Sequence, residues 1–196
     1  MENEQPKFMK DSSDKDGKCE IIADYVISWC LRRAQDDYAK DKPILFEKCR
    51  FILAKLLDLT DELNNVKFTR VETWKQESQI DIWVEVDAVV NDKKRIFAIL
   101  IEDKYHTALH DTKDEDGIYR NQLLVYRKKF DKYYSNKKDI YKKYVLLSLS
   151  GDPEHNDRLY KKDCQEYGFK LFDYEDLRLD EKPSESDIYN EFWLNW

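Results

Sequence analysis

Residues 79–104 read QIDIWVEVDAVVNDKKRIFAILIEDK, and their hydrophobic pattern predicts two paired β-strands. Across Gln79–Val90 apolar and polar residues alternate, which is typical of a strand with one buried face. The four residues at 91–94, NDKK, predict a hairpin turn. Arg95–Ile101 contains the continuous apolar run IFAILI, which is typical of a strand covered on both faces. This hairpin therefore predicts the centre of a β-sheet.

The elements on either side of the hairpin predict an α/β fold. Two helices are expected between Cys19 and Leu57, with a break near Pro43, and a first strand follows at Val66–Trp74. Beyond the hairpin we expect a charged loop at 106–117, a helix at Tyr119–Tyr134, strands at Tyr144–Leu149 and Gly168–Phe172, and an aromatic helix at Ser186–Trp196. This order predicts a mixed central sheet flanked by helices, with extra helices at the N-terminus.

Composition favours one globular domain. The chain has 196 residues, of which 41% are apolar and 14% aromatic, so we expect a hydrophobic core and exclude global disorder. Residues 1–18 are polar and lack apolar periodicity. They predict a flexible tail ahead of a single domain at 19–196.

Charge, cysteines and hydropathy restrict the environment of the protein. The net charge of −7 disfavours a general nucleic-acid coat but leaves a nuclease open, because phosphate contacts depend on local charge. The four cysteines lack CxxC spacing, so we expect reduced, buried thiols rather than a zinc site. The longest strictly apolar run, Ile96–Ile101, is far too short to cross a bilayer. These features predict a cytoplasmic protein with no membrane partner.

Asp81, Glu102 and Lys104 form the pattern that carries chemistry. Asp81 lies within the second strand, and the other two residues follow the apolar run of the third, so a tight hairpin brings them to one edge of the sheet. Two carboxylates are hard ligands that suit Mg²⁺ or Mn²⁺, and the backbone carbonyl of Asp103 would add a further oxygen. A metal-polarised water could then attack phosphorus, while Lys104 orients that water or balances the developing charge.

The same residues have a simpler interpretation. Acid-x-Lys triplets arise by chance in a chain with 38% charged residues, as the triplets at 16–18, 92–94 and 111–113 illustrate. On this alternative, Glu102 and Lys104 only mark the point where a buried strand reaches water. Against it, charges that end a buried strand are costly to desolvate unless they have a partner or a function.

A helical motif supports the first interpretation. Gln122 and Tyr126 are four residues apart and therefore share one face of the predicted helix. Taken together, IDI at 80–82, IEDK at 101–104 and QLLVY at 122–126 resemble the PD-(D/E)xK nuclease superfamily. The resemblance covers residues 66–150 of the chain.

The resemblance implies a restriction-endonuclease-like αβββαβ fold and divalent-metal hydrolysis of nucleic-acid phosphodiesters, above all in DNA. By match of motif, Asp81 and Glu102 are the implied metal ligands and Lys104 is the implied catalytic cation. Gln122 and Tyr126 would support the site or contact the substrate backbone. Defence against foreign DNA, or DNA repair, is the setting that such an enzyme suggests by association.

The sequence departs from the family pattern in several places. The residue before Asp81 is isoleucine rather than proline, and Asp103 adds a carboxylate at the variable position. For the upstream helical acid that the family often carries, Glu20 and Glu47 are candidates, and a solvated surface charge is the alternative for both. Glu72, in the first strand, is expected to be exposed.

Three further features are open to two interpretations. Between residues 127 and 143, eight basic residues and three tyrosines accompany two acids, which predicts either a phosphate-binding track or a solvated helix face. His106 and His110 would suit a metal only in a helical loop, so we expect ordinary loop histidines. The aromatic segment at 189–196 predicts core packing or contact with a second copy of the chain in a homodimer.

Two functions follow, with a third kept as an alternative. The first is a Mg²⁺- or Mn²⁺-dependent DNA nuclease, which the complete set of Asp81, Glu102 and Lys104 favours. The second is a catalytically inactive binding module of the same fold, which the negative net charge and small size favour. The third is an unrelated α/β interaction domain in which the motif is coincidental. A divalent ion bound between Asp81 and Glu102 would discriminate among them.

Overall fold

A computed structural model describes residues 18–77 and 79–195 of the chain. The predicted tail at 1–18 lies outside the described residues, except that residue 18 begins the first helix. The helices are α1 (Lys18–Arg33), α2 (Pro43–Leu57), α3 (Gln122–Tyr133), α4 (Pro153–Asn156), α5 (Lys162–Tyr167) and α6 (Asp187–Leu194). The strands are β1 (Val66–Glu77), β2 (Ile80–Val90), β3 (Lys93–Lys104), β4 (Asp111–Lys113), β5 (Tyr119–Asn121), β6 (Ile140–Ser148) and β7 (Lys170–Asp173). Within these ranges no helix has the length and apolar character needed to cross a bilayer.

Five strands form one mixed sheet in the order β1-β2-β3-β6-β7, while β4 pairs with β5 separately. The first three strands are antiparallel neighbours, and β3, β6 and β7 run parallel to one another. A parallel pair needs a crossover connection, and α3 lies in the connection between β3 and β6. The predicted mixed α/β architecture, a central sheet flanked by helices, is confirmed.

The third strand is covered on both faces, as its apolar run predicts. Phe97, Ile99 and Ile101 belong to a core whose helical members come from α1, α2 and α6. Ala98 and Leu100 belong to a second core with α3 and α5. Successive side chains of a strand point to opposite faces, so a strand between two helical layers is apolar throughout. The end of β3 therefore lies where both layers meet the edge of the sheet.

A two-residue turn joins β2 to β3 and fixes their register. Asn91 and Asp92 have φ angles of 49° and 61°, the left-handed conformation that a tight hairpin turn requires at both central positions. Asn and Asp tolerate that conformation better than other residues with side chains. The ladder then runs to the pair Ile82–Ile101, so Asp81 and Glu102 follow at its end.

The segment before α3 is more regular than the predicted charged loop. It contains the hairpin of β4 and β5, and α3 begins at Gln122 rather than at Tyr119. The side chain of Asn121 accepts a hydrogen bond from the backbone N–H of Leu123 at 2.9 Å, which makes Asn121 the N-cap. Capping by Asn satisfies a helix N–H that has no partner within the helix, so the cap decides where the helix starts.

The aromatic C-terminal segment and the cysteines lie in the interior. Tyr189, Phe192 and Trp193 of α6 are buried in the core with α1 and α2, so core packing is confirmed for these three residues. Trp196 lies outside the described residues. All four cysteines are buried and carry free thiols, as predicted.

Candidate functional site

The ends of β2 and β3 bring Asp81 and Glu102 together. The Asp81 carboxylate accepts a hydrogen bond from the backbone N–H of Asp103 at 3.1 Å, which holds its side chain against the end of β3. Besides burial, the negative charge of Asp81 also acts on the Glu102 carboxyl group and raises its pKa, as expected of two neighbouring carboxylates. The hairpin register therefore places both predicted carboxylates at one point of the sheet edge.

Lys104 is bonded to two of the oxygens that the sequence assigns to a metal ion. Its Nζ donates to Oε1 of Glu102 at 2.6 Å and to the backbone carbonyl of Asp103 at 2.9 Å. Glu102 and Lys104 project from the same face of β3 because they are two residues apart on a strand. A metal ion at these oxygens would have to share them with the ammonium group.

The first turns of α3 complete the cluster. The Gln122 side chain donates from Nε2 to Oε1 of Glu102, and its Oε1 accepts from the backbone N–H of His110 at 3.1 Å. One turn later, burial and then the charges of Glu102 and Asp81 raise the pKa of Tyr126 to about 12. The Tyr126 hydroxyl therefore keeps its proton at neutral pH. The structure thus brings the predicted strand and helix residues into one cluster.

Burial and the neighbouring charges together shift the pKa values of Glu102 and Lys104. Glu102 is 2% exposed and Lys104 is 6% exposed. Burial, followed by the negative charge of Asp81, raises the pKa of Glu102 well above its usual range. Burial lowers the pKa of Lys104, but the charges of Glu102 and Asp81 outweigh it and raise that pKa above its usual value. Lys104 is therefore a fixed positive charge and not a proton acceptor.

A second pair of buried carboxyl groups lies on the α1 side of β3. Strand alternation directs Asp103 away from Glu102, and the Asp24 side chain of α1 is buried on that side. Burial, and then the charge of Asp81, raises the pKa of Asp24 to about 7, although Lys75 lies 3.5 Å from its Oδ2 and opposes the shift. Burial, followed by the charges of Asp81 and Asp24, raises the pKa of Asp103 well above its usual range.

Asp24 is a buried acid that the sequence pattern does not single out. In α1 the helical spacing in the sequence runs through Ile22, Val26, Trp29, Cys30 and Arg33. Val26 and Cys30 are buried as that spacing predicts, whereas Ile22 and Trp29 are only partly buried. Ile27 and Leu31, three and seven residues after Asp24, are buried as well. An acid at the first position of this helical spacing lies on the core-facing side of the helix. The spacing of Asp24, Ile27 and Leu31 on one helical face is therefore the sequence feature that could have identified Asp24 as a buried acid.

Glu20 joins α1 to the segment that follows β3. Its Oε1 accepts hydrogen bonds from the backbone N–H of Tyr105 at 2.9 Å and from Thr107 Oγ1 at 2.8 Å. Glu20 is therefore a half-buried, hydrogen-bonded carboxylate rather than a freely solvated one. Glu47 is an exposed residue of α2 whose Oε1 lies 3.9 Å from Nη1 of Arg50, as expected of a solvated surface charge.

The basic residues between 127 and 143 mostly form ion pairs with acids. The pairs are Lys132–Glu115 at 2.7 Å, Lys137–Glu85 at 3.3 Å, Lys142–Asp131 at 2.6 Å and Lys143–Asp58 at 2.7 Å. Such pairing reduces the charge that the segment can offer to phosphate. Glu72 is exposed, as expected, and pairs with Arg70 at 2.7 Å. His106 and His110 lie in a non-helical segment, as expected of loop histidines.

Three buried carboxylate oxygens of this region have no hydrogen-bond partner within the described residues. They are Oε2 of Glu102, Oδ2 of Asp103 and Oδ1 of Asp24. A buried charged oxygen without a partner is costly, and a bound cation is one way to offset that cost. In residues 18–77 and 79–195, no group of three or more Asp, Glu, His or Cys side chains is arranged to hold a metal ion. An ion in this region would therefore have at most two such side chains as ligands within the described residues.

Comparisons of the chain with models of protein families, with curated proteins and with solved structures give no match. The residues of the cluster therefore carry the functional conclusion by themselves.

Proposed function

We propose that the protein is a Mg²⁺- or Mn²⁺-dependent nuclease that hydrolyses phosphodiester bonds of nucleic acid, above all of DNA. The observation that carries the proposal is the state of the Glu102 carboxylate. Lys104 and Gln122 hold one of its oxygens, while Oε2 is buried without a partner beside Asp81. In this proposal the chain has the restriction-endonuclease-like αβββαβ core of the PD-(D/E)xK superfamily, which its motifs resemble.

Asp81, Glu102 and the backbone carbonyl of Asp103 are the proposed metal ligands. Mg²⁺ is commonly held by one or two carboxylates and keeps several waters, which it shares with substrate phosphates, so a set of two carboxylates suits it. When bound, the ion would supply a water of lowered pKa and balance charge on the phosphate. The orphaned Oε2 of Glu102 gives such an ion an oxygen that no described side chain has already engaged.

The remaining residues have distinct proposed roles. Lys104 is a permanent cation and would stabilise the charge that develops on the phosphoryl oxygens. Gln122 fixes the direction of the Glu102 carboxylate through its side-chain amide. Tyr126 keeps its hydroxyl proton and could donate it in a hydrogen bond to a phosphate oxygen.

A catalytically inactive binding module of the same fold is the second candidate. It is favoured by the ion pair between Lys104 and Glu102, whose side chains are almost completely buried and satisfy part of each other's charge. The ammonium group also occupies the carbonyl of Asp103. In an inactive module this ion pair would be structural, and no divalent ion would displace it.

Metal titration and cleavage assays on three proteins separate these candidates. The parent, Lys104→Ala and Asp81→Asn are incubated with linear, circular and single-stranded DNA and with RNA, in Mg²⁺, Mn²⁺ or EDTA. We expect Lys104→Ala to reduce the cleavage rate far more than metal affinity, because its charge acts as the transition state forms. Asp81→Asn removes a ligand charge, so metal affinity should fall as well.

The control is Lys138→Ala, which removes an exposed lysine remote from the cluster and should behave as the parent does. Circular dichroism establishes that each variant is folded, since removal of Lys104 leaves the buried Glu102 carboxylate without its cation. A parent that binds neither ion and cuts none of the substrates would refute the nuclease proposal and favour the inactive module.

A further inference from the structure

A cavity of about 590 Å³ opens next to the candidate site. It lies between β1, β2, α3 and the turn after β4, and its lining residues are Trp74, Gln79, Trp83, Glu85, Glu115, Lys129, Lys132 and Tyr133. We call it the tryptophan cavity. Its volume falls within the range of about 300–1,000 Å³ that is usual for small-molecule sites.

Aromatic rings form the fixed part of the tryptophan cavity. Trp83 is buried, and its Nε1 donates to the hydroxyl of Tyr134 at 2.7 Å, which fixes the indole in place. Trp74 is 39% exposed and Tyr133 is 57% exposed, with the Tyr133 ring 5.0 Å from that of Trp83. Lys137 lies 4.6 Å from the centre of the Tyr133 ring and covers part of it. Partly exposed rings are platforms on which nucleobases stack, and the Tyr133 ring is additionally packed against the fixed indole of Trp83.

The polar groups of the tryptophan cavity balance in charge. Lys129 donates to Gln79 at 2.7 Å, and Lys132 pairs with Glu115 at 2.7 Å. With Glu85, two lysines therefore accompany two glutamates among the lining residues. A cavity without net charge suits a neutral ring with polar edges better than a phosphate group. Carboxylate oxygens can accept hydrogen bonds from the amino groups of bases.

A cluster of acidic side chains adjoins the cavity through Glu85, which also lines it. Arg70 contacts three carboxylates there: Glu72 at 2.7 Å, Glu85 at 3.3 Å and Asp87 at 2.9 Å. Lys137 also pairs with Glu85 at 3.3 Å, so two cations accompany the three carboxylates. An excess of one negative charge remains, and it disfavours phosphates. Binding of the phosphates of a nucleic-acid backbone is therefore disfavoured at this cluster of carboxylates. An uncharged base in the cavity is not repelled in this way.

The cavity adjoins the proposed metal site. Trp83 lies two residues after Asp81 on β2, a separation of about 7 Å along the strand, and Gln79 lies two residues before Asp81 in the turn that precedes β2. Lys129 of the cavity lies 5.9 Å from the ring centre of Tyr126. Stacked bases repeat at about 3.4 Å along a strand, so the cavity lies one or two nucleotides from a phosphate held at Asp81.

We propose that the tryptophan cavity takes one unpaired nucleobase of a nucleic-acid strand whose phosphodiester is held at Asp81 and Glu102. This inference rests on the proposed nuclease function and adds a substrate class to it, namely single-stranded or locally unpaired nucleic acid. Trp74 and Tyr133 stack on the base, and Lys129 lies between the base and the hydrolysed bond.

The test is equilibrium binding of fluorescein-labelled single-stranded DNA and RNA, and of the matching duplexes, with Ca²⁺ replacing Mg²⁺ and with strand integrity checked on gels. Trp74→Ala and Tyr133→Ala should each weaken single-strand binding by about 5- to 140-fold, the equivalent of about 1–3 kcal/mol for one stacked base. Trp74→Leu keeps an apolar side chain and should show the same loss. Tyr141→Ala is the control, because Tyr141 is similarly exposed at 52% but packs against Phe97 on the opposite face of the sheet.

Oligonucleotides with a single abasic position give the sharper result. The abasic position is moved along the strand. At one position the parent should lose affinity, whereas Trp74→Ala, which already lacks the stacking contact, should bind the abasic and the intact strand equally. If Trp74→Ala and Tyr133→Ala bind as the parent does, the base-binding proposal is overturned while the nuclease proposal stands. Hydrolysis of bis(p-nitrophenyl) phosphate, a diester without a base, tests the nuclease proposal separately. A parent that neither binds strands nor hydrolyses any diester would overturn both.

Discussion

Substitution of Asp24 by Asn tests whether the buried carboxyl groups near the sheet edge destabilise the metal-free protein. Burial, and then the charge of Asp81, raises the pKa of Asp24 from 3.8 to about 7. The folded protein therefore binds this proton more tightly than the unfolded chain does. Its contribution to the free energy of unfolding is greatest below pH 4 and is lost as the pH rises from about 4 to about 7.

The size of the effect follows from that pKa change. At about 1.4 kcal/mol for each pH unit, the rise from 3.8 to about 7 corresponds to about 4 kcal/mol. Asp24→Asn removes the titrating group, so the variant should lose that share of the pH dependence and gain stability at pH 8. The gain has about 4 kcal/mol as its upper bound, because Lys75 loses its carboxylate partner in the variant.

Urea unfolding at pH 5, 6, 7 and 8 in EDTA measures the effect, since EDTA prevents stabilisation by bound metal. The pKa values of Glu102 and Asp103 are also raised, so some loss of stability with rising pH should persist in Asp24→Asn. Asp61→Asn, at an exposed position, should follow the parent within about 0.5 kcal/mol. Equal pH dependence in the parent and Asp24→Asn would refute the reasoning.

Three other predictions concern the supports of the site. Gln122→Ala removes one of the two donors to Oε1 of Glu102, which keeps Lys104, and removes the acceptor of the His110 backbone N–H. The free energy of unfolding should therefore fall by about 1–3 kcal/mol, while Gln165→Ala on the surface changes it little; equal stability of the two variants in urea would contradict this. Asn121→Ala removes the N-cap of α3 and should cost about 1 kcal/mol in the same assay, and an unchanged midpoint would show that the cap is dispensable. Mn²⁺ should raise the melting temperature of the parent more than that of Asp81→Asn, and equal shifts would remove Asp81 from the proposed ligands.

The sequence by itself determined the features that depend on local periodicity. The alternation of β2, the Asn91–Asp92 turn and the apolar run of β3 define a hairpin whose register brings Asp81 and Glu102 to one end. The spacing of Gln122 and Tyr126 likewise defines one helical face. Period and turn chemistry are properties of neighbouring residues, so they can be read without knowledge of the fold.

Tertiary structure alone decided which charges share the interior. Asp24 is distant in sequence from Asp103, and Glu20 from Tyr105, so their proximity depends on how α1 packs against the end of β3. The basic segment after α3 is likewise balanced by acids from other elements, such as Asp58 and Glu115. Burial and charge pairing are properties of groups brought together from distant positions, and a linear pattern does not contain them. The pKa of Glu102 is raised because folding buries this carboxyl group beside Asp81, and neither condition exists in the unfolded chain.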